Sequence, residues 1–247
     1  MAKEHELFLK ILVRLDKEDV LRGIILIGGW CPLVYKEYFG NPMEISMQRT
    51  ADLDFLVPNP PRIHKDVDVS MIFDELGFDR KVSLLDGYEK YVHPDLEVEF
   101  LTPERGRGQS KPYTIDKLHI NAQGLRYLDL IQNHTMKTSY NGVSINVPEP
   151  TAYVLHKFIV SDKRKKQFKR EKDIETARQL GEYLLEQNKQ REKMREIYCS
   201  IPEKWLGRWQ RRVSFCPVCR AGGNSVSKWP VGNSDIRLYS PSHINFK

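Results

Sequence analysis

The stretch 24–57 constrains the fold of this 247-residue chain most. Its first part is an apolar run that ends in Gly28 and Gly29, and its last part is a second apolar run that contains Asp52 and Asp54, separated by one leucine. Successive side chains of a β-strand point to opposite faces, so the two aspartates project from one face while the residue between them points into a core. The stretch therefore predicts a strand, a glycine turn, a helix and a second strand with a paired acidic face.

The same stretch predicts a site for a metal ion and a phosphate. Mg²⁺ takes one or two carboxylate oxygens and shares phosphate oxygens with a substrate, which suits Asp52 and Asp54. A strand that runs through Gly28 and Gly29 into a helix brings backbone N–H groups and the positive end of the helix to a phosphate. Thr50 stands just ahead of the acidic pair and is a further candidate for phosphate contact.

A third carboxylate is expected from the segment 95–101. Polar and apolar residues alternate strictly along it, which places Glu97 and Glu99 on one face of a strand. Either glutamate could share a metal ion with the first pair and accept a proton from an attacking hydroxyl. The alternative is that both are the solvent-facing residues of an amphipathic edge strand.

Composition limits the class of protein. Hydrophobic residues make up 40% of the chain and charged residues 29%, which is close to the globular average and argues against extensive disorder. No apolar run reaches the roughly eighteen residues that cross a bilayer. The N-terminus carries acidic residues where a signal peptide would not. We therefore expect a cytoplasmic protein without a membrane partner.

The net charge of +6 is concentrated in one segment. Residues 157–212 contain seventeen Lys and Arg against nine Asp and Glu, so the rest of the chain is slightly acidic. A basic unit beside an acidic metal site suits a phosphorylated substrate, because cations can hold a polyphosphate or an RNA backbone. A merely solvated helical surface is the alternative.

Periodicity predicts an α+β first domain at 1–150, a basic helical domain at 151–213 and an irregular tail at 214–247. The boundary is expected where the period of the apolar residues changes from two to about 3.6. Helices are predicted at 4–20, 30–38 and 67–76. Strands are predicted at 24–27, around the aspartate pair, and at 78–84, 88–93, 96–101, 117–121, 126–131 and 136–147.

The four cysteines are too few and too unevenly spaced for a disulfide framework. Cys216 and Cys219 form one half of a zinc knuckle, but tetrahedral zinc needs four ligands and no second Cys-x-x-Cys exists. Cys199 and His243 could add two ligands, although their spacing does not recommend them. The five histidines from His64 to His156 match no metal motif and are interpreted as surface or hydrogen-bonded polar residues.

Gly28-Gly29 followed by a helix and an Asp-x-Asp strand resembles the opening of the nucleotidyltransferase superfamily, which has the polymerase-β-like fold. The resemblance implies that Gly28, Gly29 and Thr50 bind a nucleoside triphosphate. It also implies two Mg²⁺ ions, or Mn²⁺, on Asp52, Asp54 and a third carboxylate. Glu99 is favoured over Glu97 because Glu99 and the four residues after it resemble the Glu-Phe-Leu-Thr-Pro stretch of uncharacterised nucleotidyltransferase-like proteins.

The helical part is similar to the second half of abortive-infection type nucleotidyltransferase toxins. That similarity implies that Lys157 neutralises a triphosphate oxygen and that Asp173 orients this lysine or a catalytic group. The chain departs from the superfamily pattern at Gly29 and Trp30, where many members have serine after the first glycine. The third carboxylate is not consistent in the toxin group.

The resemblance implies transfer of a nucleoside monophosphate from a nucleoside triphosphate to a hydroxyl group. The acceptor stays open between RNA, a protein and a small hydroxylated molecule. Two alternatives remain: a non-enzymatic module of the same fold that binds RNA or a protein, and a toxin restrained by a cognate antitoxin. Three retained acidic positions favour an enzyme, because decayed transferases usually lose one of them.

Overall fold

The computed structural model describes residues 2–46, 50–104, 106, 108 and 111–205. Within these residues the chain folds into an α+β structure in which a mixed sheet is followed by three consecutive helices. No helix in these ranges is long and apolar enough to cross a membrane. The zinc-knuckle cysteines and the tail predicted at 214–247 lie outside the described residues.

The helices follow the apolar periodicity of the sequence, as in α1, where Phe8, Ile11, Leu12 and Leu15 form one fully buried stripe. In chain order the helices are α1 (Ala2–Lys17), α2 (Cys31–Tyr38), α3 (Val69–Glu75), α4 (Leu128–Asn133), α5 (Pro150–Ser161), α6 (Gln167–Glu186) and α7 (Asn188–Ser200).

The strands are mostly short, and the two that carry the acidic residues lie in the middle of the sheet. In chain order the strands are β1 (Ile25–Ile27), β2 (Asp52–Leu56), β3 (Asp79–Val82), β4 (Glu89–Val92), β5 (Glu97–Pro103), β6 (Tyr113–Ile115), β7 (Ile120–Leu125), β8 (Thr135–Tyr140) and β9 (Val143–Pro148).

The main sheet has the order β1-β2-β5-β4-β3, with β7 paired to the end of β5 and β6 paired to β7. The β1–β2 pair is antiparallel, whereas β2 and β5 are parallel. The β8–β9 hairpin forms a separate two-stranded sheet that turns at Asn141 and Gly142, as its Asn-Gly dipeptide predicts.

One hydrophobic cluster includes residues of the sheet, the hairpin and the helices from α5 onward. Leu53 and Phe55 of β2 lie in this cluster together with Tyr153 and Leu155 of α5. The inward-facing residues of β2 are completely buried, which leaves the aspartates between them on the opposite face. The domain boundary at 150 stays a prediction, and the two parts share this cluster.

Two strand predictions were wrong. The run 126–131 is not a strand, because α4 occupies Leu128–Asn133. Leu128 and Ile131 lie one helical turn apart and pack in a small buried cluster with residues of β1, β2 and β5. A short apolar run fits a strand or a buried helix equally well, so periodicity alone misassigned it. The strand predicted at 117–121 begins only at Ile120, after a turn in which His119 has a φ of 53°.

Candidate active site

The acidic wall of the site is built by the pairing of three strands. Ile27 at the end of β1 lies opposite Asp54 of β2, and β5 pairs with the other edge of β2. In the β2–β5 register, Asp52 lies beside Glu97 and Asp54 lies beside Glu99. Neighbouring residues on paired strands share a face of the sheet, so all four carboxylates occur on one face.

Glycine is required at the turn after β1 by both conformation and space. Gly28 has a φ of 77°, and a Cβ atom added there would lie 2.2 Å from Oδ2 of Asp54. A Cβ atom at Gly29 would lie 2.8 Å from Cγ2 of Thr50. The missing side chains therefore allow Asp54 and Thr50 to approach the backbone of the turn, which continues directly into α2.

A tyrosine from the helical part fixes this turn. The hydroxyl group of Tyr153 donates a hydrogen bond of 3.1 Å to the carbonyl oxygen of Gly28. Tyr153 is buried on α5 and also packs edge-on against Tyr35 of α2. The contact ties the phosphate-binding turn predicted from the sequence to the helix that carries Lys157.

The carboxylates of the acidic wall repel one another. Burial, followed by the negative charges of Glu99 and Asp52, raises the pKa of Asp54 to about 7. The positive charges of Lys157 and Arg164 oppose this shift only in part. Burial likewise raises the pKa of Glu99. A bound cation would relieve the repulsion between these carboxylates.

The two candidate glutamates differ in their partners. Nζ of Lys90 on β4 donates to Glu97 at 2.8 Å, and the charge of Lys90 also opposes the rise in the pKa of Glu99. Glu99 lies in register with Asp54 and contributes to its raised pKa. The choice of Glu99 as the third carboxylate stays a prediction. Neither glutamate lies among the residues that line the cleft described below.

The basic wall consists of paired charges on α5, on α6 and in the connection between them. Asp173 is buried, and its two oxygens accept from Nζ of Lys157 at 2.7 Å and from Nε of Arg164 at 2.8 Å. Burial alone would raise the pKa of Asp173, but the charges and hydrogen bonds of Lys157 and Arg164 outweigh burial and hold this pKa below its usual value. Asp173 therefore positions both cations.

Asp52 and Asp54 of the acidic wall share a cleft of about 740 Å³ with the residues of the basic wall. Of the residues predicted from the sequence, seven line this cleft: Gly28, Gly29, Thr50, Asp52, Asp54, Lys157 and Asp173. Lys163, Arg164 and Lys169 also line it, as expected for the basic segment, whereas Lys165 and Lys166 do not. Apolar and aromatic side chains also line the cleft, including Leu101, Leu125, Tyr127, Leu128, Ile131 and Phe168.

His156 was misinterpreted as a surface or hydrogen-bonded histidine. It lines the cleft, and its Nε2 atom is buried without a hydrogen-bond partner among the described residues. Burial lowers the pKa of His156 to about 3, so the imidazole is neutral at physiological pH. Its only sequence signal is the position next to Lys157. Arg164 was also not singled out as a partner of Asp173.

The donor groups of the acidic wall fit a hard divalent cation that also binds substrate. Within the described residues, no group of three or more His, Cys, Asp or Glu side chains could hold a metal ion by itself. Asp52 and Asp54 provide two carboxylates, and Mg²⁺ commonly uses one or two carboxylates and completes its coordination with waters and substrate phosphates. The residues therefore fit a metal ion that is shared with a nucleotide.

The family model for nucleotidyltransferases matches residues 7–199, which include both walls of the cleft. The chain belongs to the nucleotidyltransferase family. It is accordingly an enzyme of nucleoside monophosphate transfer, with the α+β fold of that family. No curated protein sequence matches this nucleotidyltransferase.

Solved structures similar to this nucleotidyltransferase include two of the antibiotic-resistance factor ANT(2'')-Ia. The solution structure has a TM-score of 0.47 at 16% identity and covers 85% of this chain and 97% of the other. The crystal structure with adenylyl-2"-tobramycin has a TM-score of 0.48 at 16% identity and covers 85% and 99%. A nucleotidyltransferase-like protein from Paracoccidioides brasiliensis has a TM-score of 0.40 at 14% identity and covers 85% and 91%.

Proposed function

We propose that this nucleotidyltransferase moves a nucleoside monophosphate from a nucleoside triphosphate to an acceptor hydroxyl in a reaction that depends on Mg²⁺. The supporting observation is that Asp52 and Asp54 face the same cleft as Lys157, with the glycine turn beside them. In this proposal the two aspartates hold the metal ion, and Mn²⁺ can replace Mg²⁺. Two ions match the two-metal chemistry of phosphoryl transfer.

The metal ions would polarise the α-phosphate, stabilise the pyrophosphate leaving group and lower the pKa of the acceptor hydroxyl. The raised pKa of Asp54 supports this assignment, because a carboxylate crowded by Glu99 and Asp52 is most stable when a cation lies next to it. Asp52 is exposed and Asp54 is partly buried, so an ion on this pair is also accessible to a substrate phosphate.

The triphosphate is assigned to the turn between β1 and α2 and to the basic wall. The backbone N–H groups of Gly28 and Gly29 and the hydroxyl group of Thr50 are the proposed donors near the aspartates. Lys157 supplies a compact positive charge, and its ion pair with Asp173 holds the side chain in position. Arg164 shares Asp173 and can contribute a second cation to the cleft.

Glu99 is the proposed third carboxylate. It lies beside Asp54 in the strand register, and burial raises its pKa above the usual range of a glutamate. Glu99 does not line the cleft, so in this proposal it acts through its negative charge on Asp54. Glu97 is assigned no catalytic role and forms an ion pair with Lys90.

The test measures Mg²⁺-dependent binding of a non-hydrolysable nucleoside triphosphate by calorimetry, together with pyrophosphate release from the natural triphosphates. Asp52→Asn and Asp54→Asn should each lower the nucleotide affinity and the rate of pyrophosphate release by about 100-fold or more. A metal ion contributes several kcal/mol to the stabilisation of the transition state. Asp79→Asn is the matched control, since Asp79 is an exposed strand aspartate on β3, the edge strand of the sheet. Nucleotide binding that does not depend on Mg²⁺ and survives both substitutions would contradict the proposal.

A further inference from the structure

The side chains that line the cleft carry more positive than negative charge. Among the described residues that line it, four are acidic and six are basic. The acidic residues are Asp52, Asp54, Glu104 and Asp173. The basic residues are Arg126, Lys157, Lys163, Arg164, Lys169 and Lys172. Such a surface attracts an anion and disfavours a polycationic acceptor.

The cations that line the cleft differ in their partners. Lys157 and Arg164 are bound by Asp173, as described above. Lys163 and Lys169 are exposed and have no ion-pair partner in the part of the chain that the structure describes. The charge of Lys169 acts on Glu99 at a distance, but neither lysine is held in an ion pair, so both can contact a ligand that extends beyond the nucleotide.

An exposed aromatic side chain lies among these cations. Phe168 is 61% exposed, although a phenylalanine usually gains stability from burial. It stands in the first turn of α6 and lines the cleft together with Lys169, Lys172 and Asp173. Residues four apart on a helix share a face, so Phe168 lies above Lys172, and Lys169 lies above Asp173. The aromatic ring is thus on the cleft face of the helix.

Cations beside an exposed ring form the combination that binds single-stranded nucleic acid. The cations track the phosphates, while the ring stacks on a base, and neither contact requires a particular sequence. We propose that the acceptor is a single-stranded nucleic acid whose backbone lies along Lys163 and Lys169 and one of whose bases stacks on Phe168. This inference rests on the proposed function, because it assigns the acceptor of that same cleft.

The binding test uses a fluorescein-labelled oligouridine of about ten nucleotides, a length within the range that one binding module covers. Fluorescence anisotropy is measured at increasing KCl without nucleotide or Mg²⁺. Phe168→Ala should weaken binding about tenfold through lost stacking. The double variant Lys163→Ala/Lys169→Ala should reduce the slope of log affinity against log salt by about 1.4, since each phosphate contact on a single strand contributes roughly 0.7.

The matched control is the double variant Lys165→Ala/Lys166→Ala. It removes two exposed cations from the same connection between α5 and α6, but neither residue lines the cleft. The control should change affinity less than about twofold. Equal losses in both double variants would overturn the proposal and indicate nonspecific attraction to a basic surface. A Phe168→Ala variant that loses nucleoside triphosphate affinity but keeps oligouridine affinity would also overturn it.

A transfer test separates this inference from the proposed function. Protein, Mg²⁺ and α-³²P-labelled triphosphates are incubated with the oligouridine or with tobramycin, a polycationic acceptor. Label on the oligouridine supports the inference, and label on tobramycin alone overturns it while leaving the proposed function intact. Oligouridine binding of the expected pattern without transfer to either acceptor overturns the assignment of the acceptor, and pyrophosphate release from the triphosphates then decides whether the proposed function stands.

Discussion

The acidic and basic walls of the cleft handle charge in opposite ways. On the basic wall the central carboxylate, Asp173, has two cationic partners, and its pKa is lowered. On the acidic wall the central carboxylate, Asp54, has two acidic neighbours, and its pKa is raised to about 7. Burial raises the pKa of both carboxylates, so the opposite net shifts come from the charges of their neighbours.

The basic wall is a structural ion cluster, whereas the acidic wall is suited to an external cation. Asp173 satisfies Lys157 and Arg164 within the protein, so this wall is complete without a ligand. The acidic wall gains stability only when a proton or an external cation arrives. Substitutions on the first wall should therefore weaken the protein itself, while substitutions on the second should weaken binding and leave the free protein more stable.

The largest effect on stability is expected from Asp173→Ala. This change leaves Lys157, whose side chain is 14% exposed, without its partner, and the free energy of unfolding should fall by about 3 kcal/mol. Urea unfolding at pH 7 measures it. Glu182→Ala is the matched control on α6, because Glu182 forms an exposed ion pair with Arg178 that should contribute less than about 1 kcal/mol.

The pH dependence of the Asp173→Ala effect has a defined sign. A carboxylate with a lowered pKa stabilises the folded state above its unfolded pKa of about 3.9, and that stabilisation disappears as the pH falls through the lower folded value. The difference between the wild type and Asp173→Ala should thus shrink below about pH 4. Equal losses in Asp173→Ala and Glu182→Ala would contradict the comparison between the walls.

The next largest effect is expected from Gly28→Ala. A non-glycine residue at a φ of 77° is strained, and the new methyl group would also displace the carboxylate of Asp54. The free energy of unfolding should fall by about 2–3 kcal/mol, and Mg²⁺-dependent nucleotide binding should fall with it. Gly142→Ala is the matched control, because Gly142 has a φ of 80° but nothing within 4 Å of the added atom.

A loss of nucleotide binding in Gly142→Ala as large as in Gly28→Ala would show that strain alone explains the effect. A Gly28→Ala variant with unchanged binding would instead remove the turn from the proposed triphosphate site. Either result can be obtained by combining urea unfolding with calorimetry on both variants. The expected pattern is comparable strain in the two proteins and a binding defect in Gly28→Ala alone.

Two of the four carboxylates of the acidic wall could be placed from local sequence patterns. The two-residue period of a strand is enough to place Asp52 and Asp54 on one face, and the glycine pair marks the turn beside them. The choice between Glu97 and Glu99 depends on the parallel register of β2 and β5, which joins residues more than forty positions apart. Periodicity carries no information on such pairing, so only the resemblance to a family could favour Glu99.

The basic wall was less predictable because it depends on packing between helices. Charge counting identified the segment after Lys157, but it could not distinguish Lys163 and Lys169, which line the cleft, from Lys165 and Lys166, which do not. The buried Nε2 of His156 had no sequence signal, since a lone histidine on a helix fits many environments. The strand predicted at 126–131 failed for a related reason, because burial beneath the sheet supports a short helix equally well.

The comparison also predicts that Asp54→Asn makes the free protein more stable. A folded pKa of about 7 against an unfolded value of about 3.9 means that the folded state holds the extra proton, so wild-type stability falls as the pH rises from about 4 to 7. A neutral asparagine side chain at this position would remove this loss, and at pH 8 the variant should gain about 1–2 kcal/mol. Thermal unfolding from pH 5 to 8 without Mg²⁺ measures it, with Asp79→Asn as control. A less stable variant at every pH would assign Asp54 a structural hydrogen bond.

The smallest effect is expected from Glu99→Gln. Glu99 is the leading charged contributor to the raised pKa of Asp54, so its neutralisation should lower that pKa and shift the fall in stability to lower pH. The shift should be visible in thermal unfolding without Mg²⁺ even though the change in stability at any one pH stays below about 1 kcal/mol. Glu97→Gln is the matched control, because Glu97 stands two residues away on β5 and is occupied by Lys90. A larger shift for Glu97→Gln than for Glu99→Gln would mean that the register beside Asp54 does not determine which glutamate acts on it, and the choice of Glu99 as third carboxylate would be wrong.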